Sequence, residues 1–309
     1  MLGTLLGLGA TALELGLISS LTVLALFLSY SMLNVCDLST DGCFTLGAAV
    51  GAVVAIAGHP YLSIAAAIGV GIISGFVTAF LQTKMGIDSL LSGIIVNTGL
   101  YSVNIAIMGG ASLLNMNKTE TVFTRAKALF QNTFIGSQYR LVVVALIVAL
   151  AVLFLSWFLR TRLGLAIRAT GNNPDMVKSS SINPTMTTIV GLCLSNGLTA
   201  LSGCLLAQSQ KSVNVTIGSG MLTIALASLL IGRAFMGRGS IGKRAVGAVL
   251  GAFVFRLVYT IALRFNLPAF MLKLVSSVIV IIAIAGPYFR KRLPELRRIR
   301  EARRGGRNA

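Results

Sequence analysis

The sequence predicts an all-α membrane protein, a polytopic helix bundle with about nine transmembrane segments (roughly eight to ten). Two observations on composition predict this class. Of the 309 residues, 55% are hydrophobic and only 11% are charged, whereas soluble domains carry about 25% charged residues. The mean hydropathy is +0.87, and the apolar residues fall in runs near the roughly 20 residues that cross a bilayer core as a helix. These values argue against a soluble enzyme of ordinary composition.

Nine apolar runs are the candidate spans. They lie at 11–34, 42–58, 61–82, 87–109, 138–159, 187–209, 218–232, 245–264 and 268–287. Several contain charges or are only about 15 residues long, so we expect broken or re-entrant helices among them. The run 42–58 is expected either to cross the membrane fully or to insert only in part. No positive side chain lies in 1–10, so no cleavable signal peptide is expected there; a short amphipathic or partly inserted piece is the alternative.

Basic residues predict the orientation of the spans. The tail 290–309 carries nine Lys and Arg against two Glu. Because such cations are costly inside a bilayer, this tail is expected in the cytoplasm, together with 160–186 and 233–244. The polar stretch 111–137 and the N-terminus then face outward. We therefore divide the chain into a membrane domain, 1–289, and a basic cytoplasmic tail. In a chain this apolar, the net charge of +18 indicates inward-facing loops rather than nucleic-acid binding.

Polar side chains within apolar runs are costly and therefore informative. Asn97, Tyr101 and Asn104 recur at spacings of four and three, so they share one helix face. Asp41 lies at the break between the first two spans, and Asn196 lies in the sixth. We expect these five side chains to line a polar path for a small solute. Hydrogen bonding between helices is the alternative role.

Two cations fall within the last two spans. Arg256 and Lys273 are expected either to pair with a carboxylate such as Glu14 or to extend toward the membrane interface.

Glycines four residues apart lie on one helix face and let another helix approach closely. Three such pairs occur, Gly47/Gly51, Gly71/Gly75 and Gly247/Gly251. Packing within the chain is one interpretation, and a moving interface or a seam between two copies is the other.

A faint internal repeat relates 43–46 to 221–224, each of which follows a long span and a Gly-bearing turn. In the predicted topology, the two turns lie on opposite faces of the membrane, as an inverted repeat would require. Chance similarity between apolar runs is the alternative.

No catalytic, metal or cofactor site is predicted in the chain. The motif GxxxxGK at 237–243 lacks the Ser or Thr of a phosphate-binding loop, because Arg244 follows it, so we expect no ATP to bind this chain. The four cysteines and the single histidine, His59, lack metal-ligand spacing. No carboxylate pair or nucleophile–base set stands out.

The cytoplasmic segment 160–186 contains a helix-start signal. Asn173 precedes Pro174, and Asp175 falls in the first turn, where a negative charge is favourable. Met176 and Val177 then supply two apolar side chains. A helix that docks a cytoplasmic partner is one interpretation, and a solvated connector is the other.

The outer stretch 111–137 carries charges that the positive-inside rule does not favour there. Lys118, Glu120, Arg125 and Lys127 are expected either to dock an external partner or to be tolerated charges in a short translocated loop.

Several of these stretches together resemble a known family. The runs 160–186 and 191–203, with the turn 237–240, resemble permease subunits of bacterial ABC importers in the branched-chain amino-acid/ribose permease family. Within that family, 37–48 and 101–104 are most similar to the branch predicted to move tryptophan or tyrosine.

The resemblance implies a subunit of the bacterial cytoplasmic membrane that moves an aromatic amino acid by alternating access. It also implies a second permease copy, cytoplasmic ATPase subunits that hold ATP and Mg²⁺, an extracytoplasmic solute-binding protein and surrounding lipid. On this interpretation, 173–177 contacts the ATPase and the outer charges dock the binding protein. The alternative function is a secondary transporter driven by an ion gradient, for which Asp37 and Asp41 are the candidate ion site.

Overall fold

The computed structural model describes residues 2–130, 138–236 and 239–264, and the single positions 274, 277, 278, 281 and 285. The helices are α1 (Leu2–Leu26, continued by a π-helical turn, Phe27–Met32), α2 (Thr40–Ile56), α3 (Pro60–Thr83), α4 (Ser89–Ile107), α5 (Val122–Phe130), α6 (Tyr139–Phe158), α7 (Arg162–Asn172), α8 (Pro174–Ser179), α9 (Pro184–Gln210), α10 (Met221–Met236) and α11 (Ile241–Arg264). Two short strands, β1 (Leu113–Asn115) and β2 (Ser212–Asn214), pair antiparallel.

The predicted all-α bundle is confirmed. Among the described residues, α1, α3, α4, α6, α9 and α11 contain stretches long and apolar enough to cross a membrane, and α2 and α10 are shorter apolar helices. These eight helices correspond to the first eight predicted runs. Since α1 is continuous from Leu2 to Leu26, residues 2–10 belong to it and do not form a separate piece. The ninth run, 268–287, falls mainly outside the described residues, as do Lys273 and the tail 290–309, so the count of nine spans stays a prediction.

Helix α9 lies at the centre of the bundle, between α1, α2 and α3. Hydrogen bonds orient α1 against it. The Ser195 hydroxyl donates to the Ala25 carbonyl at 2.8 Å, and the Ser209 hydroxyl donates to Glu14 at 2.6 Å. As the residue numbers rise on α9 they fall on α1, so the two helices are antiparallel.

The glycine pairs pack helices within the chain. A Cβ added at Gly47 would collide with the Ala200 carbonyl of α9, and one at Gly51 would lie 2.5 Å from the Cys204 sulfur. Gly71 and Gly75 face α9 in the same way, and Gly247 and Gly251 face α10. The interpretation as intrachain packing is confirmed.

One end of the bundle, which we call the basic end, holds α7, α8 and the end of α1. There the Arg233 guanidinium lies 5.7 Å from the Tyr30 ring centre, and that of Arg244 lies 5.5 Å from the Phe27 ring centre. The positive-inside rule assigns this end to the cytoplasm.

The opposite end, which we call the ribbon end, carries β1, β2 and α5. Gln208 of α9 accepts a hydrogen bond from the Val122 backbone at 2.9 Å and donates one to the Ser63 hydroxyl at 2.7 Å. The outer stretch is thereby held against α9 and α3. This ribbon was not predicted from the sequence.

Helix α2 begins in the middle of the bundle. The Cys43 sulfur donates to the Asn196 carbonyl at 3.3 Å. Asn196 lies about 18 Å along α9, a helix about 40 Å long at 1.5 Å per residue. From this depth α2 runs parallel to α9, since Gly47 meets Ala200 and Gly51 meets Cys204, and it reaches the ribbon end.

Helix α10 begins at the same depth and runs the other way. The Asp41 carboxylate at the start of α2 accepts the backbone N–H groups of Gly220 and Leu222, each at 2.8 Å. Arg233, near the other end of α10, lies at the basic end beside Tyr30. The two turns predicted on opposite faces of the membrane are therefore in contact, and that part of the topology is wrong. The reason is that each of these two short helices crosses only part of the membrane thickness. The two helices still run in opposite directions, as an inverted repeat would require.

Candidate functional site

The break between α1 and α2 is fixed by a buried carboxylate. Asp37 accepts hydrogen bonds from the Ser39 backbone N–H at 2.8 Å and hydroxyl at 2.6 Å. Its second oxygen accepts from the Asn196 amide at 2.7 Å. Both carboxylate oxygens therefore have donors where a bare charge would be costly, and the start of α2 is attached to α9.

Asp41 joins two helix starts. It lies in the first turn of α2 and accepts two N–H groups at the start of α10. Helix N-termini carry partial positive charge, so both ends favour a carboxylate here. Asp41 thereby stabilises the meeting point of two helices that run in opposite directions.

A cavity of about 480 Å³ lies beside this meeting point, within the roughly 300–1,000 Å³ typical of small-ligand sites. Its walls come from the start of α2, the second half of α4 and the segment after β2. The lining residues are Asp41, Gly42, Thr45, Asn97, Thr98, Tyr101, Ser102, Asn104, Val215, Thr216 and Ser219.

The structure brings Asp41, Asn97, Tyr101 and Asn104 together on the cavity wall. Asn196 is not among the lining residues: it is 1% exposed, and its amide donates to Asp37. Of the two roles considered for these side chains, Asn196 therefore has the one that fixes helices.

Asn104 and Tyr101 differ strongly in exposure. Asn104 is 1% exposed, and its amide N–H donates to the Gly42 carbonyl at 3.2 Å, but its Oδ1 atom has no hydrogen-bond partner. Tyr101 is 53% exposed on the same wall. The cavity wall thus contains one enclosed residue, Asn104, and one open residue, Tyr101.

Part of this cavity wall was not predicted from the sequence. Thr98 and Ser102 lie one residue from predicted positions on α4, and extending the polar face would have included them. Thr216 and Ser219 lie in a segment between helices, where helical periodicity gives no signal.

At the basic end, the predicted helix start is confirmed. The Asn173 side chain accepts N–H groups from Asp175 and Met176, each at 3.1 Å, and Pro174 occupies the first helical position. Helix α7, which precedes α8, was not predicted, although Thr161 caps it by accepting a hydrogen bond from the backbone N–H of residue 164 at 3.3 Å.

The two apolar side chains of α8 face different ways. Met176 is 62% exposed, whereas Val177 is 1% exposed. The expectation that both are available to a partner is wrong for Val177, because α8 packs on α7 and α9 and the chain turns back over it. Asp175 forms an exposed ion pair with Lys178 at 3.7 Å.

The four charged residues of the outer stretch are all exposed. Arg125 pairs with Glu120 at 3.0 Å and lies 5.7 Å from the Tyr61 ring centre. Lys118 and Lys127 form no ion pair within the described ranges.

The proposed pairing of Arg256 with Glu14 is not formed. Glu14 accepts a hydrogen bond from Ser209 instead, and the Arg256 guanidinium lies 5.4 Å from the Tyr259 ring centre, with its Nε atom unpaired.

The sequence of this chain is similar to those of known transport permeases. The family model described as "Branched-chain amino acid transport system / permease component" matches residues 10–284. A tyrosine transport system permease protein of Clostridioides difficile is 33% identical over 87% of this chain and 88% of its own length. The ribose import permease of Escherichia coli is 25% identical, over 80% and 75% of the two chains. A probable branched-chain amino acid transport permease of Methanocaldococcus jannaschii is 27% identical, over 87% and 77%.

No solved structure matches the chain at a significant level. The family model covers most of the sequence, and the described helices supply six apolar spans. The protein is thus a multi-pass protein of the bacterial cytoplasmic membrane, and it belongs to the family of branched-chain amino-acid transport permeases, the ABC importer permeases that its motifs resemble.

Proposed function

We propose that this chain is the permease subunit of an ATP-driven importer that carries an aromatic amino acid, tryptophan or tyrosine, by alternating access. The observation that carries the proposal is the polar cavity at the junction of α2 and α10. A relative named as a tyrosine transport permease supports the choice of solute.

The arrangement of α2 and α10 supports alternating access. Broken helices that meet near the middle of a membrane are a recurrent way to build a central site. Here α2 leads from the cavity to the ribbon end, and α10 leads to the basic end. Movement of either helix would change access to the cavity from one side of the membrane.

The proposed partners occupy different faces. A cytoplasmic ATPase, which holds ATP and Mg²⁺, contacts Met176 and the other exposed residues of 173–176 at the basic end, with lipid headgroups beside it. A second permease copy covers the cavity opening, because Ile94, which lies two turns before the half-exposed Tyr101 on the same face of α4, is also exposed and apolar.

The function is tested by ATP-dependent uptake in proteoliposomes that contain the permease with its ATPase and binding protein. We expect saturable uptake of labelled tyrosine or tryptophan and none of ribose.

Tyr101→Ala and Asn97→Ala should reduce uptake at unchanged melting temperature. Asn196→Ala should instead lower the melting temperature, because it leaves the Asp37 carboxylate one donor short, at a cost of about 1–3 kcal/mol. Uptake driven by an ion gradient through this chain alone would contradict the proposal.

The outer stretch is proposed to dock the binding protein. Lys118 and Lys127 are better probes than Arg125, which is already paired with Glu120. Lys118→Glu combined with Lys127→Glu should weaken docking most at low ionic strength, where exposed charges are least screened. Lys84→Glu, an exposed residue that follows α3 toward the opposite face, is the matched control. Equal affinity of the double variant and wild type at every salt concentration would remove these lysines from the interface.

A further inference from the structure

The cavity wall combines a carboxylate with an unpaired acceptor. Asp41 forms no ion pair, since the two ion pairs among the described residues lie elsewhere. Each of its oxygens accepts one backbone N–H and has further lone pairs available. The Asn104 Oδ1 atom, on the same wall, accepts nothing.

An unpaired buried acceptor is costly and calls for a donor. The lining contains no Lys, Arg or His to supply one. The amide of Asn104 cannot turn its N–H toward the cavity without losing its bond to the Gly42 carbonyl. The amide and hydroxyl donors of the wall leave this oxygen unpaired, so a donor carried by a solute is the candidate partner.

We infer that this wall binds the ammonium group of the transported solute, with Asp41 and Asn104 Oδ1 as its acceptors. An ammonium group offers three N–H donors, no acceptor and a positive charge, which match a carboxylate and an unpaired amide oxygen. Hydrogen bonds to charged groups are also stronger than those between neutral groups. This inference rests on the proposed function and specifies which end of an amino acid the cavity holds.

Hydroxyl groups on the remaining wall fit the other end of such a solute. Thr98, Ser102, Thr216 and Ser219 carry O–H groups that can donate to a carboxylate. A solute with an ammonium group is therefore retained in preference to one of the same shape without it.

The test uses the purified full-length permease in lipid nanodiscs, without the binding protein, whose own specificity would otherwise dominate. Two probes share one ring: tyramine carries the ammonium group, and 3-(4-hydroxyphenyl)propionate lacks it. Binding is measured by calorimetry or ligand-detected NMR. We expect wild type to bind tyramine at least about tenfold more tightly, the ratio that corresponds to about 1.4 kcal/mol.

Two variants remove the acceptors. Asn104→Leu should weaken tyramine binding about tenfold with little change in melting temperature, because it removes the unpaired Oδ1 atom together with the hydrogen bond to the Gly42 carbonyl. Asp41→Asn should weaken binding as well, but it also disturbs the start of α10, so Asn104→Leu is decisive if Asp41→Asn does not fold. Asp88→Asn is the matched control: it removes one carboxylate at the other end of α4, where Asn also caps helices.

Failure of wild type to bind tyramine, equal binding of both probes, or wild-type tyramine affinity in Asn104→Leu would overturn the inference. Absence of ATP-driven amino-acid uptake, with ammonium-dependent tyramine binding retained, would instead overturn the proposed function and leave the ammonium site in place.

Discussion

Met176→Asp is expected to detach the ATPase from the permease and abolish ATP-driven uptake. Met176 is the exposed apolar side chain of α8, and an apolar anchor at the centre of an interface contributes about 2 kcal/mol or more, roughly 30-fold in affinity. In the proposed complex, an aspartate would also carry charge into the apolar groove that is expected to receive the methionine. Copurification of the ATPase and permease-stimulated ATP hydrolysis measure the effect.

Two companion variants separate docking from folding. Met176→Leu keeps an apolar side chain of similar volume and should retain the ATPase. Val177→Asp should unfold the segment, because Val177 is buried, so its effect on hydrolysis would not report on docking. If Met176→Asp leaves both copurification and stimulated hydrolysis at wild-type levels, the contact lies elsewhere, and 233–244 is the next candidate.

Gly47→Ala is expected to destabilise the permease by about 3 kcal/mol or more, the upper part of the range for overpacked interiors. The added methyl would occupy the position of the Ala200 backbone, and backbone atoms of a central helix cannot turn aside as a flexible side chain can. Helices α2 and α9 would have to separate, which would also shift Asp41 and the cavity. Thermal unfolding in detergent measures the loss.

Gly69→Ala is the matched control on α3. A Cβ at Gly69 meets nothing within 4 Å, and replacing a helical glycine by alanine gains about 0.4–1 kcal/mol where space and backbone conformation permit. The two substitutions add the same atom, so opposite shifts in melting temperature would isolate the close approach at Gly47. A stable Gly47→Ala protein would show that α2 and α9 tolerate separation.

The sequence predicted most of the helices because each apolar run ends at polar or glycine-bearing residues. It also predicted four of the eleven cavity residues, three of them because Asn97, Tyr101 and Asn104 repeat with the period of one helix. The start of α8 was also predicted, because Asn173 caps the helix and Pro174 occupies its first position, next to each other in the sequence. These signals are all local in sequence.

The features that were missed depend on distant contacts or on very short elements. The role of Asn196 depends on Asp37, 159 residues away. The burial of Val177 depends on how α8 packs, and a helix of six residues shows no reliable face. Strands of three residues are too short for alternation to reveal them. A run of 17 residues likewise does not show the depth at which its helix begins.

The Asp41 contact also constrains the order in which the molecule can be assembled. The carboxylate leaves the ribosome long before its donors, since Gly220 lies 179 residues later in the chain. The Asn196 amide, which donates to Asp37, is likewise made 159 residues later. During synthesis, both carboxylates must therefore stay hydrated or be held by other groups until α9 and the start of α10 have entered the membrane. Helix α2 thus reaches its final position late, although it is among the first helices to be made.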